Sequence, residues 1–246
     1  MLDRFIQFIL DILFPVSCLG CERDSTWICD TCLCKIQLIN EQRCPICEQR
    51  ITPRGNLCLT CRSHGSIDGL LVATSYQEPL IAHAVHCFKY RFIEALYLPL
   101  GKVLVQAIER SALPLPDLII PVPLHSRRLR WRGFNQSALL AAYLGEHVTP
   151  GFPIPVMENL LIRQRHTNPQ MKLKNHAHRK KNILGAFSIA ASSRRMKKRL
   201  RNKNIWLIDD VATTGTTIFE CGQTLKKAGV NSVFGIVIAR QDFTKK

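Results

Sequence analysis

The stretch that decides the fold is Asn204-Ile205-Trp206-Leu207-Ile208-Asp209-Asp210-Val211-Ala212-Thr213-Thr214-Gly215-Thr216-Thr217. Residues 205–208 are apolar at consecutive positions, which is typical of a short strand buried on both faces of a parallel sheet. Two adjacent carboxylates, Asp209 and Asp210, follow this run, and a small turn rich in hydroxyl groups comes next. We therefore expect the strand to end at the two carboxylates and the turn to lead into a helix.

The helix after this turn has sequence signals at both of its ends. Thr217 and Glu220 fit a capping box, in which the threonine is the N-cap and the glutamate is its partner three residues later. Gly229 is a helix stop, so we expect the helix to end near residue 228. Residues 232–240 read SVFGIVIAR and predict a second buried strand. The whole segment is predicted to be one β-turn-α-β unit.

The turn offers two kinds of binding group side by side. Free backbone N–H groups, the positive end of the helix dipole and threonine hydroxyls favour a phosphate group. The carboxylates of Asp209 and Asp210 suit vicinal sugar hydroxyls and a hydrated Mg²⁺ ion. Together these groups fit a ribose 5-phosphate; the alternative is an ordinary turn whose side chains only cap the helix. The residues expected around the phosphate are Thr213, Thr214, Gly215, Thr216 and Thr217.

Two common phosphate-binding loops do not fit this turn. A P-loop would place a lysine directly after its last glycine, and Thr216 follows Gly215 here. The G-x-G-x-x-G turn of dinucleotide-binding proteins is not matched either.

The composition points to polyanionic partners. The chain has 246 residues, with 34 Lys and Arg against 18 Asp and Glu, which gives a formal net charge of +16. Such an excess favours nucleic acid, a membrane surface or a phosphate-rich substrate. The alternative is a basic surface that serves only solubility. The length is sufficient for one large domain and one small one.

The N-terminal residues 1–16 predict an amphipathic helix, because their apolar residues follow helical spacing. The segment is too short to span a bilayer and makes a poor signal peptide. We expect it to pack on the rest of the protein, with interfacial membrane contact as the alternative. Since no later segment is long and apolar enough to cross a membrane, we expect a cytoplasmic protein without a transmembrane segment.

Residues 17–64 predict a zinc module. Eight of the eleven cysteines form four C-x-x-C pairs, and two such pairs complete a tetrahedral Cys₄ site. Pairing of sequence neighbours would give two sites, and a crossed pairing is the alternative. A cytoplasmic location argues against disulfides, and the spacing also tolerates iron. The expected ligands are Cys18, Cys21, Cys29, Cys32, Cys44, Cys47, Cys58 and Cys61. Two others, Cys87 and Cys221, are expected to be core residues on helices.

The remaining residues, 65–246, predict an α/β domain. Apolar runs predict strands at 67–75 and 117–123, while helical spacing predicts helices at 77–90, 93–111 and 135–148. With the unit described above, these elements give a parallel, flavodoxin-like or Rossmann-like sheet of about five strands with helices on both faces.

An arginine-rich segment follows the strand predicted at 117–123. Ligands of open parallel sheets bind beyond the carboxyl ends of the strands, where this segment is expected to form a loop. Guanidinium groups suit a pyrophosphate because each offers bidentate donors and a permanent charge. The alternative is an exposed basic loop without a ligand. The candidate residues are Arg127, Arg128, Arg130 and Arg132.

Two motifs in this chain resemble those of known families. The sequence IWLIDDVATTGTT at 205–217 resembles the 5-phosphoribosyl-1-pyrophosphate (PRPP) motif of type I phosphoribosyltransferases. The sequence from His125 to Gln136 is similar to the signature of the ComF family of competence-associated proteins. A further match runs through residues 163–187, and the resemblance covers essentially the whole chain. The basic segment 191–203 is longer than the family pattern leads us to expect.

The resemblance implies a phosphoribosyltransferase-like domain behind a zinc-ribbon module, with structural Zn and with Mg²⁺ accompanying PRPP. It also implies a mobile hood over the site at 163–181, binding of single-stranded DNA, and contact with the inner-membrane machinery of DNA uptake. Hypoxanthine-type enzymes of this fold place an aspartate at the position of Thr213, so their proton acceptor is missing here. The basic run at 193–203 would give salt-sensitive affinity for a nucleic-acid strand.

Two hypotheses about function follow. The first is a competence protein that binds PRPP and single-stranded DNA and acts in the uptake of transforming DNA. The second is an active phosphoribosyltransferase, which transfers ribose 5-phosphate from PRPP to an unknown acceptor and releases pyrophosphate.

Overall fold

A computed structural model describes residues 16–164, 185–190 and 199–241 of the chain. The helix expected within residues 1–16 lies outside the described residues, apart from its last position. Most of the expected hood at 163–181 and the first part of the basic segment at 191–203 lie outside them as well.

The described residues alternate between helices and strands after a cysteine-rich start. The helices are α1 (Asp30–Leu33), α2 (Leu59–Arg62), α3 (Pro79–Tyr90), α4 (Tyr97–Ser111), α5 (Ser126–Arg132), α6 (Gln136–His147) and α7 (Thr216–Lys227). The strands are β1 (Gly69–Ser75), β2 (Leu118–Pro121), β3 (Leu161–Arg163), β4 (Phe187–Ile189), β5 (Asn204–Ala212) and β6 (Ser232–Arg240). Short 3₁₀ turns lie at Pro53–Gly55 and Glu94–Leu96.

Four of these strands form a parallel sheet in the order β1-β6-β5-β2. The pair β3 and β4 forms a separate antiparallel ribbon. A single parallel bridge between Ile119 and Val156 extends the main sheet beside β2. The predicted α/β class with a parallel sheet is therefore confirmed, and the described part of the sheet has four strands rather than five.

The sheet is buried on both faces, as the apolar run in β5 predicts. Trp206 and Ile208 belong to the core that α3, α4 and α6 cover on one face. Ile205 and Leu207 belong to a second core, which α7 and the β3–β4 ribbon cover on the other face. Because all four side chains are at most 1% exposed, β5 is the central element of the domain.

The predicted helices and strands of this domain are present, with ends shifted by a few residues, and three local expectations are wrong. The strand does not end at the two carboxylates, because β5 continues past both of them to Ala212. Thr217 is not the N-cap: α7 begins one residue earlier and its N-cap is Gly215, in a left-handed conformation. The arginine-rich segment is not a loop but the helix α5.

The cysteine-rich residues pack against β1, which is an edge strand of the sheet. The side-chain amide of Gln42 donates to the backbone oxygen of Val72 at 2.9 Å and accepts from its N–H at 3.0 Å. Bridges between Leu38 and Thr74 and between Asn56 and Gly69 add backbone contacts. The module thereby satisfies polar groups that an open sheet edge would leave unpaired.

None of the helices in the described ranges is both long enough and apolar enough to cross a lipid bilayer. The helix cysteines Cys87 and Cys221 are fully buried, as expected of core residues.

Candidate functional site

The carboxyl ends of the parallel strands bring together five elements. The end of β5 carries the two aspartates, and three residues separate that strand from the start of α7. The last turn of α3, the first turn of α6 and the helix α5 contribute charged and polar side chains to the same edge. This is the edge at which open α/β sheets bind their ligands.

Asp209 is the partly exposed member of the acidic pair. Its Oδ1 accepts a hydrogen bond from the hydroxyl of Ser137 at 3.0 Å and another from the backbone N–H of Asp210 at 3.0 Å. Burial and the charge of Asp210 raise the pKa of Asp209 to about 7, against the opposing effects of Lys89 and Ser137. The carboxyl group therefore changes its protonation state near neutral pH, and a bound cation or hydroxyl donor would favour its ionised form.

Asp210 is buried, with 7% of the residue exposed, and is paired with a lysine. The ammonium Nζ of Lys89, at the end of α3, lies 2.9 Å from Oδ1 of Asp210. Burial by itself would lower the pKa of Lys89, but the charge and hydrogen bond of Asp210 raise it above its usual value. The two acids thus have different surroundings: Asp210 is neutralised by a partner, while Asp209 is directed to Ser137.

Sequence reasoning missed Lys89. It is the only basic residue in the last turn of a helix that otherwise buries apolar side chains such as Val85 and Phe88. A lone lysine at a helix end is ordinary in a sequence. Its role becomes visible only when the fold places it against β5.

The turn before α7 is built around Gly215. This residue has φ of 73°, and a Cβ atom there would lie 3.0 Å from the ring of Phe219. The hydroxyls of Thr214 and Thr216 form a hydrogen bond with each other, and the backbone N–H of Thr216 points to the Thr214 hydroxyl at 3.4 Å. Small polar groups therefore surround the positive end of a twelve-residue helix.

The four predicted arginines of α5 divide into two groups. Arg127 and Arg130 are exposed, whereas Arg128 and Arg132 are partly buried. The guanidinium of Arg132 donates to the side-chain oxygen of Gln136 on α6. Within the described part of the chain, its buried Nε has no hydrogen-bond partner. A buried donor of this kind requires an explanation, and a bound anion would provide one.

Three arginines influence one another near the acidic pair. Burial lowers the pKa of Arg132, repulsion by Arg128 lowers it further, and the charges of Asp210 and Asp209 raise it. Burial also lowers the pKa of Arg163, again with a contribution from Arg128 and an opposing one from Asp209. Arg163 lies on β3 with its guanidinium 5.4 Å from the ring centre of Phe187. Like charges crowded in this way favour an anionic ligand.

The cysteines form two groups of four, and the members of each group are neighbours in the sequence. Within each group all sulfur atoms lie within 4.8 Å of one another. The groups are Cys18, Cys21, Cys29 and Cys32, and Cys44, Cys47, Cys58 and Cys61. Pairing of sequence neighbours is therefore confirmed and the crossed pairing is wrong.

The sulfur geometry fits zinc. A tetrahedron with metal–sulfur bonds of about 2.3 Å has sulfur–sulfur edges of about 3.8 Å. The sulfurs of Cys21 and Cys29 lie 3.6 Å apart, and those of Cys47 and Cys58 lie 3.9 Å apart. Although burial acts against it, hydrogen bonds from backbone N–H groups such as that of Cys29 lower the pKa of Cys18 to about 6. Both groups are therefore suited to hold one zinc ion each.

Fold and site together define an α/β protein that has a parallel sheet, an acidic pair at the carboxyl ends of its strands and two cysteine tetrads. No family model matches the chain. It is 31% identical over 205 residues to competence protein F of Haemophilus influenzae, a match that covers 81% of this chain and 85% of the relative. It is also 29% identical over 224 residues to DNA utilization protein YhgH of Salmonella typhi, covering 84% and 93%. The chain belongs to the competence protein F (ComF) family.

Two solved structures are similar to parts of this fold. One is the glutamine PRPP amidotransferase of B. subtilis complexed with ADP and GMP, with 22% identity, a TM-score of 0.35 and coverage of 56% of this chain. Another is an allosteric regulatory enzyme of purine biosynthesis, with 19% identity, a TM-score of 0.34 and coverage of 81%. This chain spans only 25% and 31% of those two proteins.

Proposed function

We propose that the protein binds PRPP at the carboxyl edge of β5, binds single-stranded DNA, and acts in the uptake of transforming DNA. The observation that carries the PRPP part is the convergence of Asp209, the turn before α7 and the partly buried Arg132 at one edge of the sheet. Asp209 suits a diol, the turn before α7 suits a monophosphate, and Arg132 suits a second phosphate group.

Each part of PRPP is assigned to different residues. Asp209 holds the ribose hydroxyls and Asp210, fixed by Lys89, orients Mg²⁺. Thr213, Thr214, Gly215, Thr216 and Thr217 surround the 5-phosphate. The pyrophosphate is held by arginines of α5, namely Arg127, Arg128, Arg130 and Arg132.

The DNA part of the proposal rests on charge and on the relatives. The chain has a formal net charge of +16, and a strand of nucleic acid is attracted to such a surface without regard to its sequence. The relatives are named for competence and for DNA utilization. We place the protein in the cytoplasm, in contact with the inner-membrane machinery that imports DNA.

The same proposal includes the organisation of the chain. Residues 17–64 are a zinc-ribbon module and residues 65–246 a phosphoribosyltransferase-like domain; the N-terminal segment 1–16 precedes them. Two zinc ions stabilise the module.

Calorimetric titration with PRPP in the presence of Mg²⁺ tests the site. We expect Asp209→Asn to weaken PRPP binding at least tenfold, because the variant loses a charge-assisted acceptor for the ribose hydroxyls. The control is Glu109→Gln, which removes an exposed carboxylate near the C-terminal end of α4. Unchanged affinity in Asp209→Asn and in the double variant with Asp210→Asn would overturn the assignment of the acidic pair.

Transfer of ribose 5-phosphate to an acceptor is a second candidate function. The pKa of Asp209 is about 7, and a carboxyl group that titrates near neutral pH is suited to accept a proton. Release of pyrophosphate from PRPP, measured over a panel of bases, nucleosides and DNA, separates the two functions. Turnover with any acceptor would establish an enzyme, whereas PRPP binding without turnover supports the binding protein.

A further inference from the structure

Two pairs of rings lie on the segments that carry Lys89 and Arg132: His86 with Tyr90, and Phe92 with Trp131. We call these four side chains the aromatic ridge. The side chains of Phe92 and Trp131 meet edge to face with ring centres 4.9 Å apart. The rings of His86 and Tyr90 lie 5.1 Å apart. Trp131 is 61% exposed and Tyr90 is 41% exposed. Large aromatic side chains with this much open surface retain ring faces that a flat ligand can cover.

The backbone holds Phe92 in an unusual conformation. Its φ is 56°, in the left-handed region that bulky side chains rarely adopt. The residue lies two positions beyond the end of α3, and its ring is 39% exposed rather than buried. Because the ring is not buried, its packing does not offset the backbone strain. Strain of this kind is typical of functional surfaces.

Positive charge surrounds the ridge. In the two segments that carry most of it, residues 90–96 and 124–132, five arginines stand against one acid, Glu94. Arg91, Arg127 and Arg130 are exposed. Arginine and aromatic residues thus alternate along α5 and the end of α3. A surface that combines ring faces with guanidinium groups matches bases linked by phosphates.

The ridge is connected to the acidic site through neighbouring side chains. Lys89, which pairs with Asp210, directly precedes Tyr90. Trp131 directly precedes Arg132; burial lowers the pKa of Arg132, and the nearby charge of Asp210 opposes that effect. A ligand that lies on the ridge therefore lies at the mouth of the proposed PRPP site.

We propose that the aromatic ridge binds single-stranded nucleic acid by stacking its bases on Trp131 and Phe92, while the arginines around them contact the phosphates. The inference rests on the DNA part of the proposed function. It goes beyond that part by assigning base contacts to named rings, and by placing the strand beside the acidic pair. Binding is then partly independent of salt, because base stacking does not release counterions.

An anionic membrane surface is the other partner that attracts arginine with aromatic residues. The ridge fits it less well, since α5 has seven residues and presents only Leu129 and Trp131 as large exposed apolar side chains. An interfacial helix instead presents a long apolar face.

The test compares an oligothymidylate with an abasic oligomer of the same length, which carries the same phosphates without bases. We expect the intact protein to bind the oligothymidylate more tightly, and Trp131→Ala to lose roughly five- to hundredfold in affinity for it. The affinity of Trp131→Ala for the abasic oligomer should match that of the wild type. Trp131→Phe, which keeps a ring, should retain most of the affinity. The matched control is Phe152→Ala, because Phe152 is 82% exposed and lies beyond the C-terminal end of α6.

Tryptophan fluorescence gives a second readout. Trp206 is buried in β5 and Trp27 is partly buried in the cysteine module, so base stacking should quench mainly the emission of Trp131. Quenching by the oligothymidylate that disappears in Trp131→Phe supports the proposal.

The outcomes separate this inference from the function on which it rests. Equal affinity of the wild type for both oligomers, or unchanged affinity in Trp131→Ala, overturns the ridge and leaves salt-dependent DNA binding in place. Failure of the wild type to bind either oligomer overturns the DNA part of the proposed function together with the ridge. A shift in Trp131 emission with anionic phosphatidylserine vesicles, and none with the oligothymidylate, would assign the ridge to a membrane instead.

Discussion

At the scale of single residues, Lys89 offsets one charge of an acidic pair whose members stand next to each other on β5. Both carboxylates lie in a largely buried environment, where an uncompensated charge is costly. Lys89 contacts Asp210 directly and also lowers the pKa of Asp209 from a greater distance. The lysine therefore controls how much negative charge the site holds when no ligand is bound.

Replacing Lys89 by methionine should destabilise the protein by about 2–4 kcal/mol, since it leaves Asp210 buried without its partner. Denaturant unfolding at neutral pH measures the change. Adding Asp210→Asn to the same chain should restore most of the loss. The control is Lys102→Met: the ion pair of Lys102 with Asp30 is exposed on both sides, so this change should cost less than about 1 kcal/mol. Equal effects of the two lysine variants would contradict the role of Lys89.

The raised pKa of Asp209 predicts a specific dependence of stability on pH. Its pKa is about 7 in the folded protein and near its ordinary value of 3.8 in the unfolded chain, so the folded state binds the extra proton in between. Its contribution to stability is complete below the unfolded pKa and is lost as pH rises through about 7. The variant Asp209→Asn has no carboxyl group at this position, so it does not lose this stability as pH rises. The free energy of unfolding of the variant, relative to the wild type, should be about 1–3 kcal/mol higher at pH about 8 than at pH about 5.

Asp117 provides a control of opposite sign. A hydrogen bond from the backbone N–H of Asn204 and the pairing with Lys203 lower the pKa of Asp117. Its stabilising contribution is present above the unfolded pKa and is lost as pH falls through the folded one. Asp117→Asn should therefore be most destabilising at neutral pH and least at acidic pH. Urea titrations of both variants test this contrast. If both variants showed the same trend with pH, burial of Asp209 could not be the cause of the pH dependence of stability.

At the scale of the element, the start of α7 depends on the glycine at its N-cap. Gly215→Ala should destabilise the protein by about 2 kcal/mol, because alanine has to adopt a positive φ and its Cβ would press on Phe219. Gly133→Ala isolates the first effect: φ is 86° there, but nothing lies within 4 Å of a Cβ atom. Thermal unfolding should show a larger loss for Gly215→Ala. The additional destabilisation by Gly215→Ala should shrink when Phe219 is also replaced by alanine. If it stayed constant, contact of the Cβ atom with the Phe219 ring would not contribute to it.

The errors of the sequence analysis at this scale have physical causes. The apolar run predicts that β5 ends at the two carboxylates, but pairing with β6 continues past them, with Asp209 opposite Val237 and Val211 opposite Ala239. The capping-box pattern at Thr217 is genuine in the sequence, yet the left-handed Gly215 starts the helix earlier. The partner strand and the local φ angle decide these ends, and neither is visible in a short sequence window.

Other features could have been predicted. The helix α5 has a side-chain cap at its start, where the ring of His125 accepts from the N–H of Arg127 at 3.2 Å, and a glycine follows its end. Arginine and leucine are also good helix formers. The density of charge in this segment is typical of a binding loop, so its helix signals are easily outweighed. The pairing of Lys89 with Asp210, in contrast, depends on the tertiary fold alone.

At the scale of the whole molecule, the first cysteine tetrad contributes to the buried core of the large domain. Cys18, Cys29 and Cys32 lie in the same buried cluster as residues of α3 and α4 such as Phe88 and Leu104. The second tetrad is tied to the sheet in a different way. Arg240, at the end of β6, donates to the backbone oxygen of Pro45 at 3.1 Å and pairs with Glu48. A metal ion held by the first tetrad would therefore be coupled to the packing of the large domain.

This coupling predicts unequal consequences of losing the two metal sites. Cys32→Ser should remove one equivalent of zinc and lower the melting temperature of the whole protein, because its tetrad supports the core beneath α3 and α4. Cys61→Ser should remove the other equivalent and cost less, since Cys61 is only partly buried and its tetrad packs at the sheet edge. Cys34→Ser is the control: this exposed cysteine belongs to neither tetrad, so both zinc ions and the melting temperature should be preserved. Atomic emission and calorimetry on the same samples measure the two quantities. Identical losses of stability in the two tetrad variants would contradict the stronger coupling of the first tetrad to the core. Zinc loss in Cys34→Ser would mean that the tetrads are assigned to the wrong cysteines.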